Sequence, residues 1–204
     1  MTLPLLKKNQ ACLPGCFAEF SNCRITLDCT EFQVANARDN MDTQKQTYSN
    51  YKSRNTFKAL VGVAPNGVIT FVSDLYPGSK SDKEIVADSG VLKQLYAGDL
   101  VLADKGSLIQ DLMPHGDSLN LPPFLTNGVF TKQESVFMIK IARARIHVER
   151  AIGRIKRYAV LDLIPSHMRC YASIMFKVCA ALVNLQNLLI SEVSGQYEGG
   201  EDAK

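Results

Sequence analysis

Asp28 falls near the end of an apolar, β-branched run, Arg24–Phe32, and Asp104 directly follows the last apolar residue of a second run, Leu100–Ala103. Glu149 is the lone acid of Lys140–Arg157, a segment with seven bases: Lys140, Arg143, Arg145, Arg150, Arg154, Lys156 and Arg157. That segment carries a formal +6 in a chain whose net charge is +3. In open α/β sheets, functional groups gather where strands end. Separations of 76 residues from Asp28 to Asp104, and 45 more to Glu149, leave room for the chain to return and bring the three acids together. Carboxylates converging without histidine or thiolate make a hard oxygen site suited to Mg²⁺ or Mn²⁺. Two such ions about 3.5–4 Å apart can activate a water or hydroxyl and stabilise the leaving oxygen of a phosphodiester. The cations around Glu149 would then hold a nucleic-acid backbone by its phosphates.

Each of these groups also has an ordinary structural use. An aspartate at a strand end serves as a turn or cap residue, and Asp104-Lys105-Gly106 reads as a turn. Glu149 lies one helical turn after Arg145 and can pair with it. A basic helix is often only a solvated face. Asp74, Asp82 and Glu84 are rival acids, although Asp82 and Glu84 are accounted for by a helix N-terminus. His147 stands two residues before Glu149, so a helix turns it elsewhere, and Cys29 packs in the core behind Asp28. Spacing alone leaves the ligand and ion-pair readings both standing.

These residues must be positioned by a mixed α/β sheet. Along Arg24–Phe32, Ile25, Leu27 and Cys29 face one side and Thr26, Asp28 and Thr30 the other. Phe57–Ala64 and Val68–Asp74 flank Pro65-Asn66-Gly67, a hairpin signal. Ser81 is an N-cap for a helix reaching about Tyr96, with Asp82 and Glu84 in its first turn. Leu100–Ala103 is a short buried strand, and residues 114–128 read as a Pro/Gly/Asn-rich loop. A helix runs from about Lys132 through the basic segment. Tyr158–Ile164 is a short strand or an irregular link, and Ser166 opens an amphipathic helix to about Ser191. Residues 1–23 read as irregular, Ala35–Ser53 as a polar loop, and Gly195–Lys204 as a frayed tail. Three antiparallel strands, with the fourth returning parallel to the first, give one sheet flanked by helices. The divisions are an N-terminal extension, 1–23, a domain over 24–191, and a tail, 192–204.

With 204 residues, 46% hydrophobic and 21% charged, the chain is expected to be one globular domain. Its six cysteines form no C-x-x-C pair, and no histidine lies near the first four, which argues against zinc and for reduced thiols. The start, MTLPLLKKNQ, does not read as a secretory signal. Ile174–Ile190 is interrupted by Lys177, Asn184, Gln186 and Asn187, so no membrane association is expected. Thr47–Lys58 interleaves Tyr48, Tyr51 and Phe57 with Lys52, Arg54 and Lys58; it could grip a nucleic-acid strand, but reads slightly better as a loop leading into an edge strand.

The blocks RITLDCTEF (24–32), TYSNYKSRNTFKALVGVAPNGVITFVSDLYPGSKSDKEI (47–85), DLVLADKG (99–106), NLPPFL (120–125) and ARIHVERAIGRIKR (144–157) resemble the DDE superfamily endonuclease domain. More narrowly, they resemble the transposase-derived nucleases of PIF/Harbinger elements, also found in THAP-domain proteins. The likeness spans roughly residues 14–190. It implies an RNase H-like fold and a divalent-metal triad. Asp28 corresponds to the first family aspartate, Asp104 to the second and Glu149 to the third acid. Two Mg²⁺ or Mn²⁺ ions, a DNA substrate and a nuclear location follow from the same resemblance. Arg145, Arg150, Arg154 and Lys156 are the expected phosphate contacts. The chain departs from the family pattern at Ser107, where an aromatic is common, and at Gln33–Asn36, where a proline is common. Relatives usually carry a DNA-binding module ahead of the nuclease, and only residues 1–27 precede Asp28 here. The expectation is therefore a fragment, a truncated product or a chain that works with a separate DNA-binding partner, compatible with a homo-oligomer.

The reading is a metal-dependent DNA endonuclease. Its alternative is a catalytically silent, domesticated transposase core acting as a DNA-binding or adaptor module. An RNase H-like enzyme acting on RNA is a third, separable by substrate comparison.

Overall fold

The computed structural model describes residues 3–4, 6–36, 41–103, 112, the backbone of 118–120, and 132–190. The elements in chain order are α1 (Leu6–Ala11), β1 (Cys23–Val34), α2 (Met41–Thr47), β2 (Tyr48–Ser49), β3 (Arg54–Val63), β4 (Ile69–Val72), β5 (Tyr76–Pro77), α3 (Asp82–Ser89), β6 (Leu100–Leu102), β7 (Ser118–Asn120), α4 (Lys132–Ile155), β8 (Leu163–Ile164) and α5 (Ala172–Val183).

β1 is the spine of the sheet. Its residues Thr26–Gln33 pair antiparallel with Val63–Thr56 of β3. β3 in turn pairs with β2, β4 and β5 on its far edge. The other edge of β1 takes β6 in parallel, from Cys23↔Leu100 to Thr26↔Leu102, and β7 pairs parallel with β6. Further along that same edge, β8 pairs parallel with Gln33 and Val34. Among the described residues, Leu27–Phe32 has no partner strand on this edge, so β1 is open there between β6 and β8. Antiparallel strands followed by a parallel return, with helices on both faces, make this the RNase H-like mixed sheet that was expected.

Strand alternation distributes the residues of β1 from Ile25 onward between two cores, while Cys23 joins a third with Phe17, Phe20, Leu100 and Leu102. Ile25 and Leu27 join Leu60, Phe71 and Val101 under α3, whose Ile85 and Val86 cover them. Phe32 and Val34 join Ala59, Val61 and Val63 under α4 and α5. The covering stripe of α4 is Ile141, Ala144, Val148, Ala151, Ile152 and Ile155, spaced for one helical face. α5 adds Phe176, whose ring lies 5.3 Å from that of Phe32. The β3–β4 hairpin turns where Pro65-Asn66-Gly67 predicts it, with Gly67 at φ +87°. At the outer edge of β4, the Asn184 side chain accepts from Ile69 N at 2.9 Å and donates to Ile69 O at 2.8 Å, standing in for a further strand.

Several expected boundaries shift. α3 has the predicted Ser81 N-cap, which the Glu84 side chain completes into a capping box, but stops at Ser89, where Gly90 adopts φ +78°; the residues up to Tyr96 hold only a 3-10 turn. The stretch 166–191 begins as a 3-10 segment, Ser166–Tyr171, and its α-helix ends at Val183. Residues 1–23 are not wholly irregular: α1 is held by the Asn9 amide, which donates to the carbonyls of Cys23 and Arg24. Ala35–Ser53 contains α2 and β2, tied to β3 by the Asn55 amide donating to Gln44 O and Thr47 Oγ1. Within the expected loop 114–128, Ser118–Asn120 is a strand, and the rest lies outside the described residues. Tyr158–Ile164 resolves into a 3-10 turn plus β8. The tail 195–204 lies outside the described residues. Among those described, no helix is long and apolar enough to cross a membrane.

Candidate active site

Asp28 sits in the middle of β1, opposite Val61, beside the open stretch of the strand. Leu27 packs under α3 and Val61 under α4, so alternation puts the half-buried Asp28 carboxylate on the α4 face. The β1–β3 ladder fixes its backbone on both sides.

Asp104 lies outside the described residues. The strand that leads to it is well anchored. Leu100 N donates to Asn22 O, and the Asn22 amide donates to Gly98 O. Beneath them Arg24 and Asp99, both almost fully buried, pair at 3.7 Å, and the Arg24 guanidinium lies over the Tyr96 ring. These contacts set the parallel register that ends at Thr26↔Leu102, with Ala103 buried in the α3 core.

Glu149 is solvent-exposed on α4, between the buried Val148 and the exposed Arg150. Among the described residues it makes no ion pair, with Arg145 or any other base, so the ion-pair reading is not realised there. At 100° per residue, Lys156 returns to the stripe of Glu149 after two turns, with Gly153 between them. The helical bonding reaches that far, because Lys156 N donates to Ile152 O. The Lys156 ammonium stands 5.9 Å over the Phe32 ring of β1. Its pKa lies below the usual lysine range, first because it is partly withdrawn from water, then because of the nearby Lys52 cation; Asp28 and Glu31 oppose the shift. The stripe that bears Glu149 thus carries a cation that feels the Asp28 charge.

Softer donors near these acids are turned away. Cys29 points into the α3 core, where burial, followed by Asp82 and Asp28, pushes its thiol well above the ordinary range. His147 is buried, stacked on Phe17 with ring centroids 6.1 Å apart, and its Nε2 lies 3.3 Å from Cys16 Sγ. The donor atoms of Asp28 and Glu149 themselves are hard oxygens, which fit Mg²⁺ or Mn²⁺ better than zinc. Among the described residues no three His, Cys, Asp or Glu side chains gather to hold a metal, a set that does not include Asp104. The rival acids have other partners: Asp82 pairs with Lys58, Asp74 with Lys177, and Glu84 completes its capping box.

The basic residues divide. Arg150 is exposed and Arg145 half-buried. Arg154 instead donates through Nη1 to Asn187 O, beside the turn at Gly67, which draws it toward the end of α5. Lys140 pairs with Glu19. Sequence reasoning undervalued Lys52 and Arg54: the Tyr48–Ser49 and Arg54–Asn55 pairing brings both into a recess lined by Lys156. The alternation of rings and cations in Thr47–Lys58 was the available signal.

The sequence model of one family, described as DDE superfamily endonuclease, matches residues 27–184, more than half of the chain. No curated protein and no solved structure shows a significant match.

Proposed function

The chain belongs to the DDE superfamily endonuclease family, and on that premise we propose that it cleaves DNA phosphodiesters with Asp28, Asp104 and Glu149 as a divalent-metal triad. The observation that carries the proposal is the placement of Asp28: a half-buried carboxylate on the stretch of β1 that, among the described residues, has no partner strand between β6 and β8, on the face covered by the helix that presents Glu149. Asp28 stands two residues beyond Thr26, and Asp104 two beyond Leu102, the last paired residues of β1 and β6. Extending that parallel register would bring the two aspartates side by side.

Mg²⁺ or Mn²⁺, as one or two ions, would supply the activated water or hydroxyl and the charge on the leaving oxygen. The protein's part is to hold and orient. β1 and β3 fix Asp28, and the buried stripe of α4 fixes the rotation of Glu149 about the helix axis. Arg150 and Lys156 would neutralise backbone phosphates, with Arg145 in support. Arg154 would join them only by giving up its bond to Asn187 O. We assign the chain to the PIF/Harbinger branch, with action in the nucleus and a separate DNA-binding partner for target choice.

The test is nicking of supercoiled DNA in Mg²⁺ or Mn²⁺. Wild type should nick, and Asp104→Asn should abolish nicking while leaving the urea midpoint near wild type. Undiminished nicking by Asp104→Asn would remove the triad assignment. Salt-sensitive binding without metal-dependent cleavage would instead establish a silent, DNA-binding core.

A further inference from the structure

The carboxyl end of β1 opens into a recess of about 300 Å³. Lys52, Arg54 and Lys156 line it together with Phe32, Glu31 and Asp162. Its volume is at the lower end of the range for small-molecule sites. Among the described residues none of the three cations forms an ion pair. One of the two acids is already engaged: Glu31 Oε2 accepts from Thr56 Oγ1 at 2.7 Å, and its Oε1 lies 3.9 Å from Lys58 Nζ. The recess therefore concentrates more positive charge than its own carboxylates neutralise.

The cations are also held in place. Arg54 Nε donates to Lys52 O at 3.3 Å and its Nη1 to Gln33 Oε1 at 3.1 Å, which fixes the guanidinium plane and leaves Nη2 for a ligand. Ser53, between the two bases, has φ +51°, a left-handed conformation uncommon outside glycine. The turn thus retains a modestly unfavourable backbone where it sets Lys52 beside Arg54. Lys52 and Lys156 line the same recess with like charge, and a bound anion would relieve their repulsion.

Next to the cations is an aromatic face. The Tyr51 side chain is 83% exposed, and the Lys52 ammonium lies 4.5 Å from its ring centroid. Bases inside a duplex have both faces stacked, so an exposed ring selects a base that is unpaired. We propose that this recess is a second subsite, which takes an unpaired nucleotide of the DNA with its phosphate among Lys52, Arg54 and Lys156 and its base on Tyr51. The proposal rests on the DNA-cleaving reading and adds a preference to it: substrates with single-stranded extensions, or strands already opened, over blunt duplex. Lys156 would link the two sites, since it lines the recess and also feels the charge of Asp28.

The test uses the full chain in EDTA, with fluorescence anisotropy of a blunt duplex and of the same duplex carrying a short single-stranded extension. Wild type should bind the extended duplex about tenfold more tightly, as expected for one or two stacked bases. Tyr51→Ala should bring the affinity ratio close to one. Lys52→Ala with Arg54→Ala should do the same and lower the log–log salt slope for the extended duplex by about 0.7 per lost phosphate contact. Lys93→Ala, a cation in the turn after α3, should keep the wild-type ratio. Equal wild-type affinity for both DNAs, or a ratio retained by Tyr51→Ala, would overturn the subsite alone. Wild type binding neither DNA would overturn the nuclease reading and the subsite with it.

Discussion

Gly153→Ala should make the protein more stable. Gly153 lies near the end of α4, on the exposed stripe between Glu149 and Lys156. It needs no left-handed backbone, and a Cβ built there meets no atom within 4 Å. Alanine would lower the conformational entropy of the unfolded chain without creating a clash in the native one. The gain in a helix interior is about 0.8–1 kcal/mol, and so near the last turn we expect roughly 0.5–1 kcal/mol. For a chain of this length that is a rise in Tm of about 1–4 °C. Urea denaturation followed by circular dichroism gives the difference directly, with the m-value unchanged. A lower midpoint would refute the reasoning, because it would mean that the backbone there is strained or the space not open. On the proposed DNA-cleaving reading the glycine also has a functional rationale: without a side chain there, a phosphate backbone would come closer to the stripe of Glu149 and Lys156. Gly153→Ala should therefore bind DNA less well although it is more stable, and equal affinity would assign the glycine no role in binding.

Other outcomes follow from the packing and the thiols. Gly62→Ala should cost about 1–3 kcal/mol by overpacking, since its Cβ would lie 2.4 Å from Ile25 Cδ1 and 3.0 Å from Phe71 Cβ; urea melts check it. Asn184→Ala should cost about 1–2 kcal/mol through the two bonds lost at Ile69, with faster amide exchange along β4. Iodoacetamide on the native protein should modify the exposed Cys170 and leave the buried Cys23 until the chain unfolds. Burial raises the Cys23 thiol to about 12, so it stays protonated in the native state at pH values where the unfolded chain ionises. The unfolded state then binds fewer protons, and stability falls as pH rises from about 9 to about 12. Titrating the unfolding free energy across that range should show the loss, and Cys23→Ala should make it shallower, the raised thiol of Cys29 keeping a share of it.

The face on which Asp28 lies could be read from local pattern because β1 obeys strand alternation. Its odd-numbered residues Ile25, Leu27 and Cys29 pack under α3, which leaves Asp28 for the opposite face. The rotation of α4 was equally legible, because the stripe Ile141, Ala144, Val148, Ala151, Ile155 is visible as spacing alone. Elements held by tertiary contacts were not. α1 and α2 have six and seven residues, too few to be stable alone, and depend on the amides of Asn9 and Asn55. The extent of α3 was overread because Leu92 and Leu95 continue an apolar rhythm past Gly90, where the backbone turns left-handed. Among the bases, charge density did not distinguish Arg150, which faces solvent, from Arg154, which bonds to the carbonyl of Asn187. Nor did it show that Lys52 and Arg54 meet Lys156, a juxtaposition made by the end of α4 packing on the sheet about a hundred residues later in sequence.

The central claim concerns metal held by three acids, and the most direct measurement is anomalous diffraction from crystals of the full chain soaked in Mn²⁺. Manganese is expected between Asp28 and Asp104, with Glu149 reaching an ion from α4. Carboxylates too far apart to share an ion, or manganese bound only elsewhere, would contradict it.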